Sequence, residues 1–107
     1  MTTLVVSRKG LGELILNKVA KHVDIAKAVD FFDIRKEGYK DTKEIIAEVE
    51  RIKASSAIVV SNFKLACELL AKGVKTVIVL IPKIVDNTEI VKADIYKLEG
   101  ELKLERL

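Results

Sequence analysis

The chain has 107 residues, enough for one domain with its own core but too few for a catalytic domain beside a regulatory one. Half of the residues are hydrophobic, nearly all Val, Ile, Leu and Ala with 5% aromatic, so a disordered chain is excluded and an aliphatic core under a charged surface is expected. The net charge of +3 arises from 19 basic and 16 acidic residues interleaved along the chain, which leaves room for a local basic patch but supplies no basic tail for coating nucleic acid.

A single cysteine and a single histidine exclude an intramolecular disulfide and are too few for a structural zinc site. No stretch approaches the roughly 20 apolar residues of a membrane span. The N-terminus lacks a charged segment followed by an apolar one, so a cytoplasmic protein without a secretory signal is expected. Glutamine is absent, Met occurs only at position 1, and Lys and Glu dominate the charged residues. Thermophilic proteins share that bias, which points to a hot source.

Leu4 to Val6 reads as a first strand, followed by a tight turn at Gly10 and Gly12. An amphipathic helix is expected from about Gly12 to His22, with Leu11, Leu14, Ile15, Val19, His22 and Val23 on one face and Glu13, Lys18 and Lys21 turned away. Val29 to Ile34 forms the second strand and Arg35 to Lys40 a polar loop. Asp41-Thr42-Lys43-Glu44 has the pattern of a capping box, opening a helix striped by Ile45, Ile46, Val49 and Ile52 that ends near Ala54.

Ala57 to Val60 is a continuous apolar run, as a strand buried on both faces requires. Ser61 or Asn62 caps a third helix with Phe63, Ala66, Cys67 and Leu70 on its buried face, widened by Leu65 and Leu69. Gly73 stands where a left-handed cap is wanted, and Val74 to Ile81 is the fourth and longest strand. Beyond Pro82 the pattern loosens. Asp86-Asn87 looks like a turn, and Glu99-Gly100 joins Ile95–Leu98 to Leu102–Leu104 in a hairpin, with a charged helix as the competing reading.

These elements predict one α/β domain over residues 1–107, with a βα core at 1–83 and a C-terminal extension at 84–107. The expected architecture is a three-layer, mostly parallel, four-stranded Rossmann-like sheet with helices on both faces and a C-terminal edge strand or hairpin. All four predicted strands stop on polar residues, which would then share the carboxyl edge where open α/β sheets bind ligands.

Ser7-Arg8-Lys9-Gly10-Leu11-Gly12 lies between strand and helix, where backbone N–H groups at a helix start can hold an anion. It matches neither the Walker A spacing nor the dinucleotide fingerprint, and a tight turn with solvated basic residues is the plainer reading. Asp33 could accept from a ribose hydroxyl and Tyr39 could stack on a base, with Arg35 and Lys36 adding charge. Equally, Asp33 could pair with Arg35 or Lys36 on a solvated loop. Ser61 and Asn62 are good helix caps whatever the function, and Lys83 adds a positive charge to the same edge. His22 falls at the far end of its helix, and Cys67 reads as a buried, inert thiol.

No catalytic residue, metal ligand or cofactor follows from these groups. The leading expectation is a binding or sensor domain for a phosphate-containing ligand such as a nucleotide, held by Ser7, Arg8, Lys9, Gly10, Gly12, Asp33, Arg35, Ser61, Asn62 and Lys83. The alternative is a structural or regulatory interaction subunit, self-associating as a homodimer through residues 94–107, where Ile95, Leu98, Leu102, Leu104 and Leu107 need cover. A phosphoester-active enzyme using Ser7, Arg8, Asp33 or Lys36 ranks third. Nucleic-acid binding is expected to be weak and non-specific at most, because aromatic platforms are scarce.

Overall fold

In the computed structural model, which describes residues 2–7, 9–25, 28–30, 42–100 and 103–107, seven strands form one mixed sheet packed against helices. The chain order is β1 (Thr2–Val6), β2 (Gly10–Leu11), α1 (Glu13–Val19), β3 (Ala28–Asp30), α2 (Thr42–Ile52), β4 (Ala54–Val60), α3 (Phe63–Ala71), β5 (Thr76–Asp86), β6 (Glu89–Glu99) and β7 (Lys103–Arg106). Across the sheet the order is β2-β6-β5-β4-β1-β3, with β7 also paired to β6. β1 lies parallel to β3 and β4, β4 parallel to β5, and the short β2 parallel to β6. The β5–β6 and β6–β7 pairs are antiparallel.

This architecture overturns the expected mostly parallel, four-stranded Rossmann-like sheet. The longest ladder is antiparallel, running from Thr76 opposite Glu99 to Asp86 opposite Glu89. Pro82 does not end β5 but lies within it, opposite Ala93. Its missing N–H does no harm there, because the β4 ladder stops at Val60 opposite Leu80 and β5 is an edge beyond that point. The strand continues to a turn at Asn87, which adopts the left-handed conformation at φ 51°, and returns as β6. Two irregularities interrupt the outer ladder: Lys83 is skipped between Pro82 and Ile84, and Val91 between Lys92 and Ile90.

Side chains alternate between the two faces of the sheet and explain the unbroken apolar runs of β4 and β5. Leu4, Val6, Ala57, Val59, Val77 and Val79 pack with Ile45 and Val49 of α2 and Leu65 and Leu69 of α3. Ile58, Ile78, Leu80, Ile90 and Ile95 pack on the opposite face with Ile15 and Val19 of α1 and with Val23. Burying each of these Val, Leu and Ile side chains contributes about 1.5–3 kcal/mol relative to exposure.

The third helix is tied at both ends. Asn62 Oδ1 accepts the Leu65 N–H at 2.9 Å, satisfying a first-turn donor. At the other end the N–H groups of Gly73 and Val74 donate to the carbonyls of Leu70 and Leu69, and Gly73 takes φ 99°. That is the paired closure of a helix that needs glycine past its last turn. The buried face of α3 comprises Leu65, Ala66, Leu69 and Leu70, so Cys67 is exposed and not buried as expected.

Candidate functional site

β1 and β4 end beside one another, and the outer half of the β5–β6 hairpin extends past the end of β4 as an arm. Between them lies a cavity of about 360 Å³. Its walls are Val6, Val59 and Val60 from the strand ends, Ile45 and Leu65 from α2 and α3, and Pro82, Val85 and Ile90 from the arm. Ser7, Lys9 and Asn62 supply its polar groups. A mostly apolar hollow with a few polar groups is the usual character of a small-molecule site.

The loop after β1 is held by its own hydrogen bonds and by the arm. Ser7 is 2% exposed; its Oγ donates to the Lys9 carbonyl at 2.5 Å and accepts the Lys9 N–H at 3.1 Å. The Lys9 ammonium donates to the Asn87 carbonyl at 2.8 Å. Gly10 N–H donates to the Thr88 carbonyl at 2.7 Å, and Gly12 N–H to the Ile90 carbonyl at 2.8 Å. A Cβ at Gly12 would stand 2.8 Å from the Ile90 oxygen and 3.3 Å from Val91 Cα, so this glycine permits a strand, not a phosphate, to approach the backbone.

Nucleotide binding, expected on the strength of the Rossmann-like fold and the glycine loop, loses both supports. The sheet is of another kind, and the Gly10 and Gly12 amides assigned to an anion are occupied by the arm.

Of the ten expected site residues, Ser7, Lys9 and Asn62 meet around the cavity, while Arg8, Asp33 and Arg35 lie outside the described residues. Ser61, in the left-handed conformation at φ 54°, uses its N–H on the Leu80 carbonyl and does not line the cavity. Lys83 is drawn to Asp94 at 3.2 Å, with Arg106 on the other carboxylate oxygen at 3.0 Å. The hydrogen bond from Lys83 first, against a desolvation penalty, and then the charges of Lys83 and Arg106 hold the Asp94 carboxyl below its ordinary range. The walls contributed by Pro82, Val85 and Ile90 were not anticipated. Their signal was the apolar Ile84, Val85 and Ile90 scattered through the stretch beyond Pro82 that was read as loose.

At the opposite end of α1, His22, Asp24, Ser55 and Ser56 border a polar hollow of about 540 Å³. Ser55 Oγ donates to the Thr2 carbonyl at 3.5 Å, and no hydrogen bond joins His22 to Asp24 or Ser55, so these groups form no proton relay. Among the described residues no group of three His, Cys, Asp or Glu could hold a metal, and no helix is long and apolar enough to cross a membrane. Comparison with known proteins finds no matching family model, curated protein or solved structure, and the cavity's own chemistry carries the functional reading.

Proposed function

We propose that the protein is a non-catalytic binding or sensor domain for a small, mostly apolar molecule with one anionic end, a phosphate or a carboxylate. The observation that carries this reading is the cavity at the ends of β1 and β4, apolar on most sides and polar only at Ser7, Lys9 and Asn62. The apolar body of the ligand would gain about 25 cal/mol for each Å² removed from water. Its anionic end would take a charge-assisted hydrogen bond from Lys9, worth about 1.5–3 kcal/mol, in exchange for the Asn87 carbonyl. The Asn62 amide group adds a donor, because the cap of α3 engages only its oxygen.

The test pairs thermal stability with amide NMR shifts, using octyl phosphate, octanoate, inorganic phosphate and AMP as probes. Octyl phosphate and octanoate are expected to shift the Ser7, Lys9 and Leu65 amides. At about 100 times its Kd, a bound probe stabilises by about 2.7 kcal/mol, a rise of roughly 10 °C or more for a domain of this size. Inorganic phosphate alone is expected to do little, and Lys9→Ala to weaken octyl phosphate about tenfold or more. The absence of shifts around the cavity at millimolar probe would remove this reading.

A further inference from the structure

The second concavity lies on the other side of the arm and shares no residue with the first. It is a groove of about 560 Å³ between α1 and the β5–β6 arm. Three of the exposed large apolar side chains open into it: Leu14 at 72%, Ile84 at 53% and Val91 at 37%. Singly exposed apolar residues are ordinary on protein surfaces, but a contiguous set lining one groove marks an interaction site.

The charged residues that line it are all cationic, Lys18, Lys21 and Lys92, beside the neutral Asn17, and no carboxylate does so. None of these lysines makes an ion pair among the described residues. Elsewhere on the same hairpin the lysines are paired, Lys83 with Asp94 and Lys97 with Glu99 and Glu105. An apolar floor between unpaired like charges is complementary to a segment with an apolar stripe and acidic flanks. A membrane surface would suit projecting apolar side chains better than a recess. A second copy in an isologous contact would bring the same lysines against one another.

We propose that this groove docks an acidic amphipathic helix of a partner protein, its apolar face against Leu14, Ile84 and Val91 and its carboxylates beside Lys18, Lys21 and Lys92. The proposal does not depend on the ligand reading of the first cavity.

The test titrates the full chain with a synthetic peptide of about 18 residues, about 27 Å long as a helix, carrying Leu at helical spacing and Glu on both flanks. A twin peptide replaces every Glu with Lys. The acidic peptide is expected to shift the amides of Leu14, Lys18, Ile84, Val91 and Lys92 and leave Ser7 and Leu65 unmoved. The twin is expected not to bind. Leu14→Asp and the double variant K18E/K92E should each weaken the acidic peptide about tenfold or more, and salt should weaken it further. Leu14 is exposed enough that an unchanged spectrum away from the groove will certify the folded variant.

Equal affinity for the two peptides, or no shift at millimolar acidic peptide, overturns the proposal. Two further results overturn it in favour of another occupant. One is binding to phosphatidylserine vesicles, without binding to the peptide, that Leu14→Asp abolishes. The other is a concentration-dependent increase in sedimentation that the same variant abolishes.

Discussion

The base of the sheet and the arm of the β5–β6 hairpin obey opposite rules. Ala57, Ile58, Val59, Val77, Ile78, Val79 and Leu80 have no exposed surface, covered by α2 and α3 on one face and α1 on the other. A few residues further along the same strand, Ile84 and Val85 stand half exposed, and Val91 is exposed on the returning strand. The base is apolar because it is the core. The arm carries apolar Ile84, Val85 and Val91 that the described residues leave exposed, and its two sides border the two concavities. Apolar side chains in the two regions should therefore differ in what they do when removed.

The sharpest separation is in stability. Ile58→Ala or Ile78→Ala should destabilise by about 2–5 kcal/mol, since each leaves a cavity in a close-packed layer. Ile84→Ala on the arm should stay within about 0.5 kcal/mol of the parent. Urea midpoints measured at unchanged slope would check both. A loss above 2 kcal/mol at Ile84 would show that the arm belongs to the core.

Next in size is the seam joining the arm to the loop after β1. Gly12 has an ordinary extended φ of −63°, so Gly12→Ala meets no backbone conformational penalty. Its cost is the collision with the Ile90 carbonyl, a backbone atom that cannot swing aside, and about 1–3 kcal/mol is expected. At Gly10 the nearest atom to an added Cβ is 3.6 Å away, and Gly10→Ala should cost less than about 1 kcal/mol. Hydrogen exchange should show the Gly12 amide, bonded to Ile90 in the parent, losing protection in Gly12→Ala while the β4 amides keep theirs.

The same contrast explains what could be read from the residues alone. Asn62, Gly73 and the turn at Asn87 obey local rules of capping and backbone conformation, and such rules act within a few residues. The apolar runs of β4 and β5 report burial on both faces, whatever the direction of neighbouring strands. Pro82 misled because its effect depends on whether a neighbour needs its N–H, which the extent of β4 decides. Gly10 and Gly12 misled for a related reason: a close approach demands glycine whether a phosphate or a strand does the approaching, and here it is Thr88 to Ile90. The apolar face of α3 was read too far round towards Cys67, when Leu65 and Leu69 carried the true stripe.

The base has one imperfection of its own. Thr3 is 1% exposed, and its hydroxyl has no hydrogen-bond partner among the described residues. Thr3→Val keeps the β-branched shape beside Ser56 and removes the unsatisfied group. It should stabilise by about 1 kcal/mol, read as a rise in Tm. No gain would mean that water reaches the hydroxyl.

The smallest expected effect belongs to the charges spanning β5, β6 and β7, which lie on the surface and are screened. Asp94 has a depressed carboxyl, chiefly through the Lys83 hydrogen bond and then the charges of Lys83 and Arg106. Its contribution is complete above the carboxyl's unfolded value and is lost as pH falls through the lower folded value. Lys97 is shifted the other way, its ammonium raised by the Glu99 hydrogen bond and then by the charges of Glu99 and Glu105. That contribution is complete below the ordinary lysine value and is lost as pH rises through the raised one. Asp94→Asn should flatten only the acid limb of a stability profile, and Lys97→Met only the alkaline limb. Both differences should shrink in about 1 M salt, where the screening length falls to about 3 Å. An acid-limb change that survived such salt would mean that the direct hydrogen bonds from Lys83 and Arg106, rather than screened charge at longer range, hold the Asp94 carboxyl down.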